Sequence, residues 1–246
     1  MITGPPPPTR ARLPTLGDVP STSDRMEALA AAWYAAGDRR ALFADTYARM
    51  TRAMQAAVDA REFVDNAWVA RLVDRFADYY FVAVDAHGAV AGLTPTCPLV
   101  WREAFEACTR TDVNELQTIL LGINAHINHD LALALADVLE DWGTLDDATR
   151  AARLADHGHV NRIIEGNVDE IQRDVLARVA PAVALLDVLL GRMDEWLFAR
   201  LAAHYRQNVW EDTQRLLAAA TPAERLAVVA ELDREARRLG HLILVV

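Results

Sequence analysis

Two side chains in one stretch, "LLGINAHINHDLALALA" (120–136), have the types and spacing to do chemistry: His126 and Asp130. Four residues apart on a helix, they stand on adjacent turns of one face. An imidazole beside a carboxylate suits a general base, a metal site or a salt-bridged strut, and spacing alone leaves all three open. Asn124 and Asn128 form a similar pair on a different face, where they either contact a ligand or brace the helix. His129 lies off the shared face and is expected at the surface or a helix end, with no role.

The helix that carries them, about 112–141, has Leu116, Leu120, Ile123, Ile127, Leu131 and Val138 on one stripe and Leu121, Leu133 and Leu139 on most of the remainder. A helix apolar nearly all round is central and covered on several sides. Its polar groups then need partners, because an unpaired buried amide costs about 1–3 kcal/mol. Ser23 is the expected N-cap of a helix over 24–36, which Gly37 ends. A second helix over 39–60 carries Leu42, Phe43, Tyr47, Met50 and Met54 on one face, and a third over 64–85 carries Trp68, Leu72, Phe76, Tyr79 and Tyr80. "DAHGAVAGLTPTCP" (85–98) reads as a loop, a short helix holds Trp101 and Phe105, and Asp112 is the expected cap of the central helix. Thr144 and Asp147 open the next helix, which Gly158 and Gly166 bend or interrupt before Pro181 kinks it. Helices over 193–219 and 222–240 follow, the last with Thr221 as cap, Pro222 at its first position and Glu224 at its third. The reading is an all-α, single-domain bundle of about eight helices over 23–246, behind a flexible proline-rich arm over 1–22.

Composition narrows the functions. With 246 residues, 52% of them apolar, the chain can bury a large core. All 25 basic residues are arginine, so no lysine exists for a Schiff base, with or without pyridoxal phosphate, or for a P-loop. A net charge of −10 without a basic stripe argues against nucleic acid. Two cysteines, Cys97 and Cys108, are too few for a disulfide scaffold or an all-cysteine zinc site, and no c-type haem or nucleotide motif occurs. No signal peptide or membrane span is expected, and a reducing cytoplasm is the expected compartment.

Other constellations are weaker. No ExxH occurs for a di-iron bundle, "DDATR" (146–150) lacks the last acid of a diphosphate-binding motif, and no GxSxG or cysteine–histidine pairing supports a nucleophile. Asp156, His157, His159 and Asn161 cluster around Gly158, either as a solvated helix bend or as part of a site. If Asp156 meets His126 and Asp130, the three could hold a divalent ion such as zinc. Arg206 with Trp210 is either an anion clamp or, more simply, a stacked pair. Tyr79 and Tyr80 face different ways, so one at most lines a pocket with Trp101.

"LLGINAHINHDL" resembles the GxNAHINxDL helix of a bacterial family of unknown function, and "FVDNAW" (63–68), "FADYY" (76–80), "PLVW" ending at Trp101, "ADHGHVN" (155–161) and "YRQNVW" (205–210) agree with it. That resemblance covers about 40–217 and implies that Asp65, His126, Asp130, Asp156 and Asn161 form one set of motif positions. Gly122, His126 and Asp130 also resemble the GxxxHxxxD helix of zinc-dependent phospholipase C and P1 nuclease, although the further histidines and N-terminal tryptophan of that fold have no counterpart here. The expectation is an enzyme acting on a small molecule between helices. His126, Asp130, Asp65 and Asn161 are the catalytic candidates, with Asn124, Asn128, Tyr80, Trp101 and Arg206 against the substrate and His126, Asp130 and Asp156 as metal ligands. A metal-dependent, hydrolase-like reaction is one version. A metal-free cyclase or isomerase of secondary metabolism is a second, and a non-enzymatic ligand-binding or interaction protein a third.

Overall fold

A computed structural model describes residues 20–88, 96–179 and 209–245. The fold is all-α, and every regular element among the described residues is helical. The helices are α1 (Thr22–Ala35), α2 (Ala41–Asp59), α3 (Asn66–Gly88), α4 (Leu99–Ala107), α5 (Glu115–Ala125), α6 (Leu131–Val138), α7 (Asp147–Val179), α8 (209–218) and α9 (Pro222–Leu244). A π-helical turn, His126–Asp130, joins α5 to α6 into one central rod.

The ends follow local chemistry. Ser21, not Ser23, caps α1, in a reciprocal capping box with Asp24, and Gly37 takes the left-handed conformation (φ 68°) that stops it. Asn114, not Asp112, caps the central helix, again reciprocally with Gln117, while Asp112 pairs with Arg110 on the surface. Asp146 accepts from Thr149 N at the start of α7, which runs through Gly158 and Gly166 without a break. The Thr221 box opens α9 as expected, and α9 continues to Leu244, so the apolar tail is helical and Ile243 is fully buried. Residues 1–19 and the predicted kink at Pro181 lie outside the described residues.

The central rod threads two hydrophobic clusters. One gathers Phe43, Tyr47, Tyr80, Trp101, Leu120 and Leu121 around α5, and the other gathers Met54, Trp68, Leu72, Leu135, Leu139 and Val160 around α6. Glu115–Val138 is long and apolar enough to cross a membrane, yet 83% of its apolar window is buried by the other helices. α2 reaches the rod closely only because residue 122 is glycine: a Cβ there would lie 2.4 Å from Phe43 Cγ. The π turn falls at the junction of the two clusters, where the Leu131 amide reaches back five residues to the His126 carbonyl. Such turns gather at functional sites. This one places His126, His129 and Asp130 together in the interior.

Candidate active site

Asp130 is 1% exposed and receives three donors: Trp101 Nε1 at 2.8 Å and His126 Nδ1 at 3.3 Å on Oδ2, and His129 Nδ1 at 2.7 Å on Oδ1. Burial alone would raise its pKa. The hydrogen bonds from the two histidines outweigh that and hold it below the usual carboxylate value, so it is an anion. A carboxylate only accepts, which assigns the proton of both imidazoles to Nδ1. Trp101 comes from α4, so the cluster ties the central rod to a second helix.

His129 is therefore not at the surface. It is 2% exposed and part of the cluster, contrary to the helical-wheel expectation. The physical reason is the π turn, whose wider winding invalidates a wheel drawn at 3.6 residues per turn.

The His126 ring lies flat on Phe76 (centroids 3.6 Å apart, 9° between planes) and beside Tyr47 (4.1 Å). Burial lowers its pKa, with Asp130 only partly opposing, so the imidazole is neutral near pH 7. Its Nε2 then bears a lone pair, and that atom is buried with no hydrogen-bond partner. Leaving such an acceptor unpaired costs about 1–3 kcal/mol. A buried group that the fold leaves unsatisfied calls for an explanation.

The ring forms part of the wall of a cavity of about 110 Å³ between α2, α3, the central rod and α7. This is several times the space one water needs. Among the described residues the wall is apolar apart from His126, Tyr47, Thr46 and Thr51; Thr46 spends its hydroxyl on the Leu42 carbonyl, and the Thr51 hydroxyl is buried without a partner. Burial raises the Tyr47 phenol well above its ordinary value, so it stays protonated. Among the described residues of the wall, His126 is thus the one group that can change charge near neutral pH.

The remaining candidates are placed elsewhere. Asp156 lies 2% exposed, accepting from the Val64 and Asp65 amides at 2.9 and 2.7 Å, and does not join His126 and Asp130. Asp65 caps α3 through Trp68 N (3.1 Å) and accepts from Arg153 Nε (3.0 Å). Among the described residues no cluster of three histidine, cysteine, aspartate or glutamate side chains is arranged to hold a metal ion. Asn124 donates to the Ala236 carbonyl of α9 (2.8 Å) and accepts from Asn128 (2.9 Å), bracing two helices. Tyr80 and Trp101 are fully buried behind the cavity rather than on its wall, and the Tyr80 hydroxyl has no partner. The Asn161 side chain and Arg206 lie outside the described residues. Phe43, Tyr47, Met54 and Phe76, which carry the cavity wall, were legible only as a helical apolar stripe, the pattern that core residues also give.

Comparison with known proteins then places the chain. A family profile described as "Family of unknown function (DUF5995)" matches residues 19–246. The chain belongs to that family. No curated protein and no solved structure matches it. The match spans α1 to α9, wider than the 40–217 covered by the recognised motifs.

Proposed function

We propose that this DUF5995 chain is an acid–base enzyme acting on a small apolar molecule, with His126 as the base and Asp130 as the group that orients it. The observation that carries this is His126, whose ring forms part of the wall of an apolar cavity and whose Nε2 lone pair is buried and unpartnered while Nδ1 is fixed by Asp130. His157 Nδ1 is likewise buried without a partner, so it is the place of the His126 ring on the cavity wall that distinguishes it.

The proton inventory is simple. Nε2 accepts a proton from the bound molecule, and the imidazolium so formed lies against the Asp130 carboxylate, which Trp101 and His129 hold as an anion. Asp130 keeps its charge throughout; it stabilises the cation and fixes the tautomer. The apolar wall excludes water and strengthens each of these interactions. The metal-dependent, hydrolase-like version has less support, because both Asp130 oxygens are already occupied and Asp156 is spent on the backbone of 64–65.

Wild type and His126→Gln, compared on a panel of apolar ketones in D2O and apolar aryl esters, test the reading. The expected result is turnover, or exchange at the ketone α-carbon, by the wild type, lost at least 100-fold in the variant and unaffected by a chelator. Equal rates in the two proteins, or no activity on any member, would overturn it.

A further inference from the structure

The cavity has a direction as well as a chemistry. Along α2 its wall runs from Phe43 to Met54, about 16 Å of helix at 1.5 Å per residue. Along α3 it runs the opposite way, from Phe76 back to Val69. His126 belongs to one end, in ring contact with Phe43, Tyr47 and Phe76. The other end is built from the α6-side cluster, Met54, Val69, Leu131 and Val160, which presents no ionisable group among the described residues. Among the described residues the space is therefore a groove with the His126 imidazole at its head and a largely hydrocarbon wall along its length, interrupted by Tyr47 and by the Thr51 hydroxyl, which is also buried without a partner.

We propose that the groove holds a long-chain alcohol, its hydroxyl donating to His126 Nε2 and its tail lying along α2 toward Met54 and Leu131. The inference rests on the acid–base reading of His126 and adds the class of ligand to it. A hydroxyl fills the unpaired acceptor that the fold leaves at the head. An extended tail matches a wall that is long on α2 and largely apolar as far as Met54. A carboxylate head is disfavoured, since it would bring an anion beside the Asp130 anion with no cation among the described residues of the wall.

Calorimetric titration with 1-alkanols from hexanol to tetradecanol, alongside alkyl methyl ethers of matched length, tests this on the full chain. Affinity is expected to rise about fourfold per added CH2 and then level off when the groove is full. The alcohols should exceed the ethers by about tenfold, because an ether oxygen has no proton for Nε2. Met54→Phe should bring the plateau to a shorter chain and leave the shortest alcohols unchanged; His126→Phe should abolish the alcohol preference. Should His126→Phe not fold, the wild-type ether comparison and the Met54→Phe plateau carry the test. No saturable binding, equal affinity of alcohols and ethers, or a plateau that Met54→Phe does not move would each overturn the proposal. Its failure is separable from failure of the acid–base reading, because the His126 tautomer and the ketone and ester turnover are measured without an alcohol present.

Discussion

Two charge networks, one half-buried between α3 and α7 and one fully buried in the central rod, teach opposite things. In the first, Asp156 accepts two backbone amides of the α2–α3 connection, Asp65 caps α3 and takes Arg153 Nε, and Arg153 reaches Asp141 with both terminal nitrogens (2.7 and 3.3 Å). Each carboxylate oxygen there has a donor, so the network is a lock that fixes where α3 and α7 meet. In the second, Asp130 is equally well supplied, but His126 keeps one nitrogen unpaired against a cavity. Satisfied groups hold a shape. In the proposed reading, the unsatisfied one is where a ligand binds.

The largest effect that would break this contrast belongs to the lock. Asp156→Ala leaves two amides of the 64–65 turn without their acceptor, in a site 2% exposed, and is expected to cost about 3 kcal/mol in urea unfolding while ligand binding at His126 survives. Destabilisation below about 1 kcal/mol would remove the distinction between the networks. Gly122→Ala comes next. Its Cβ meets the Phe43 ring, which must move, so a loss of about 1–3 kcal/mol is expected, together with weaker binding, because Phe43 is also cavity wall.

Acid should act through His126 and the half-buried His157. His126 has a folded pKa below its unfolded value near 6.5, and burial takes His157, beside Trp210, down to about 4. Between those values and pH 6.5 the unfolded chain binds more protons than the folded one. Stability is therefore full above pH 6.5 and falls as pH drops, with a limiting slope of about 1.4 kcal/mol per pH unit for each group. Replacing His157 by Phe should flatten that slope between pH 6.5 and 4 in chemical unfolding curves, and an unchanged slope would show that the ring is not buried neutral. The smallest effect is expected at the centre of the site. His126→Phe removes an unpaired acceptor, which stabilises, and the Nδ1 donor to Asp130, which destabilises, while keeping the ring stack on Phe76; the two oppose, so stability should change by no more than about 1 kcal/mol although the proposed turnover is lost.

How much of this was legible beforehand depends on how local the cause is. Helical stripes such as Phe43, Tyr47, Met50 and Met54, the stop at Gly37 and the Thr221 box are written within a few residues, and the all-α fold follows from them. His126 and Asp130 were also readable as a pair, because i,i+4 spacing fixes their contact. The π turn was not: it arises from how the central rod packs, and composition carries no mark of it, which is why His129 was misplaced. Asp156 and Asp65 meet partners about ninety residues away, so their motif strings announced that they mattered without revealing that they meet each other and Arg153. Asn114 rather than Asp112 as cap was decided by the reciprocal bond to Gln117, a choice between two adequate local signals.

The central claim, a neutral His126 with its proton on Nδ1 and a free Nε2, is open to direct measurement by 15N NMR of histidine-labelled protein. The account predicts for His126 a neutral Nδ1-protonated ring whose Nε2 signal is that of an unprotonated nitrogen at pH 7, with a titration midpoint below 6.5. An imidazolium at pH 7, or a proton on Nε2 with Nδ1 bare, would contradict it.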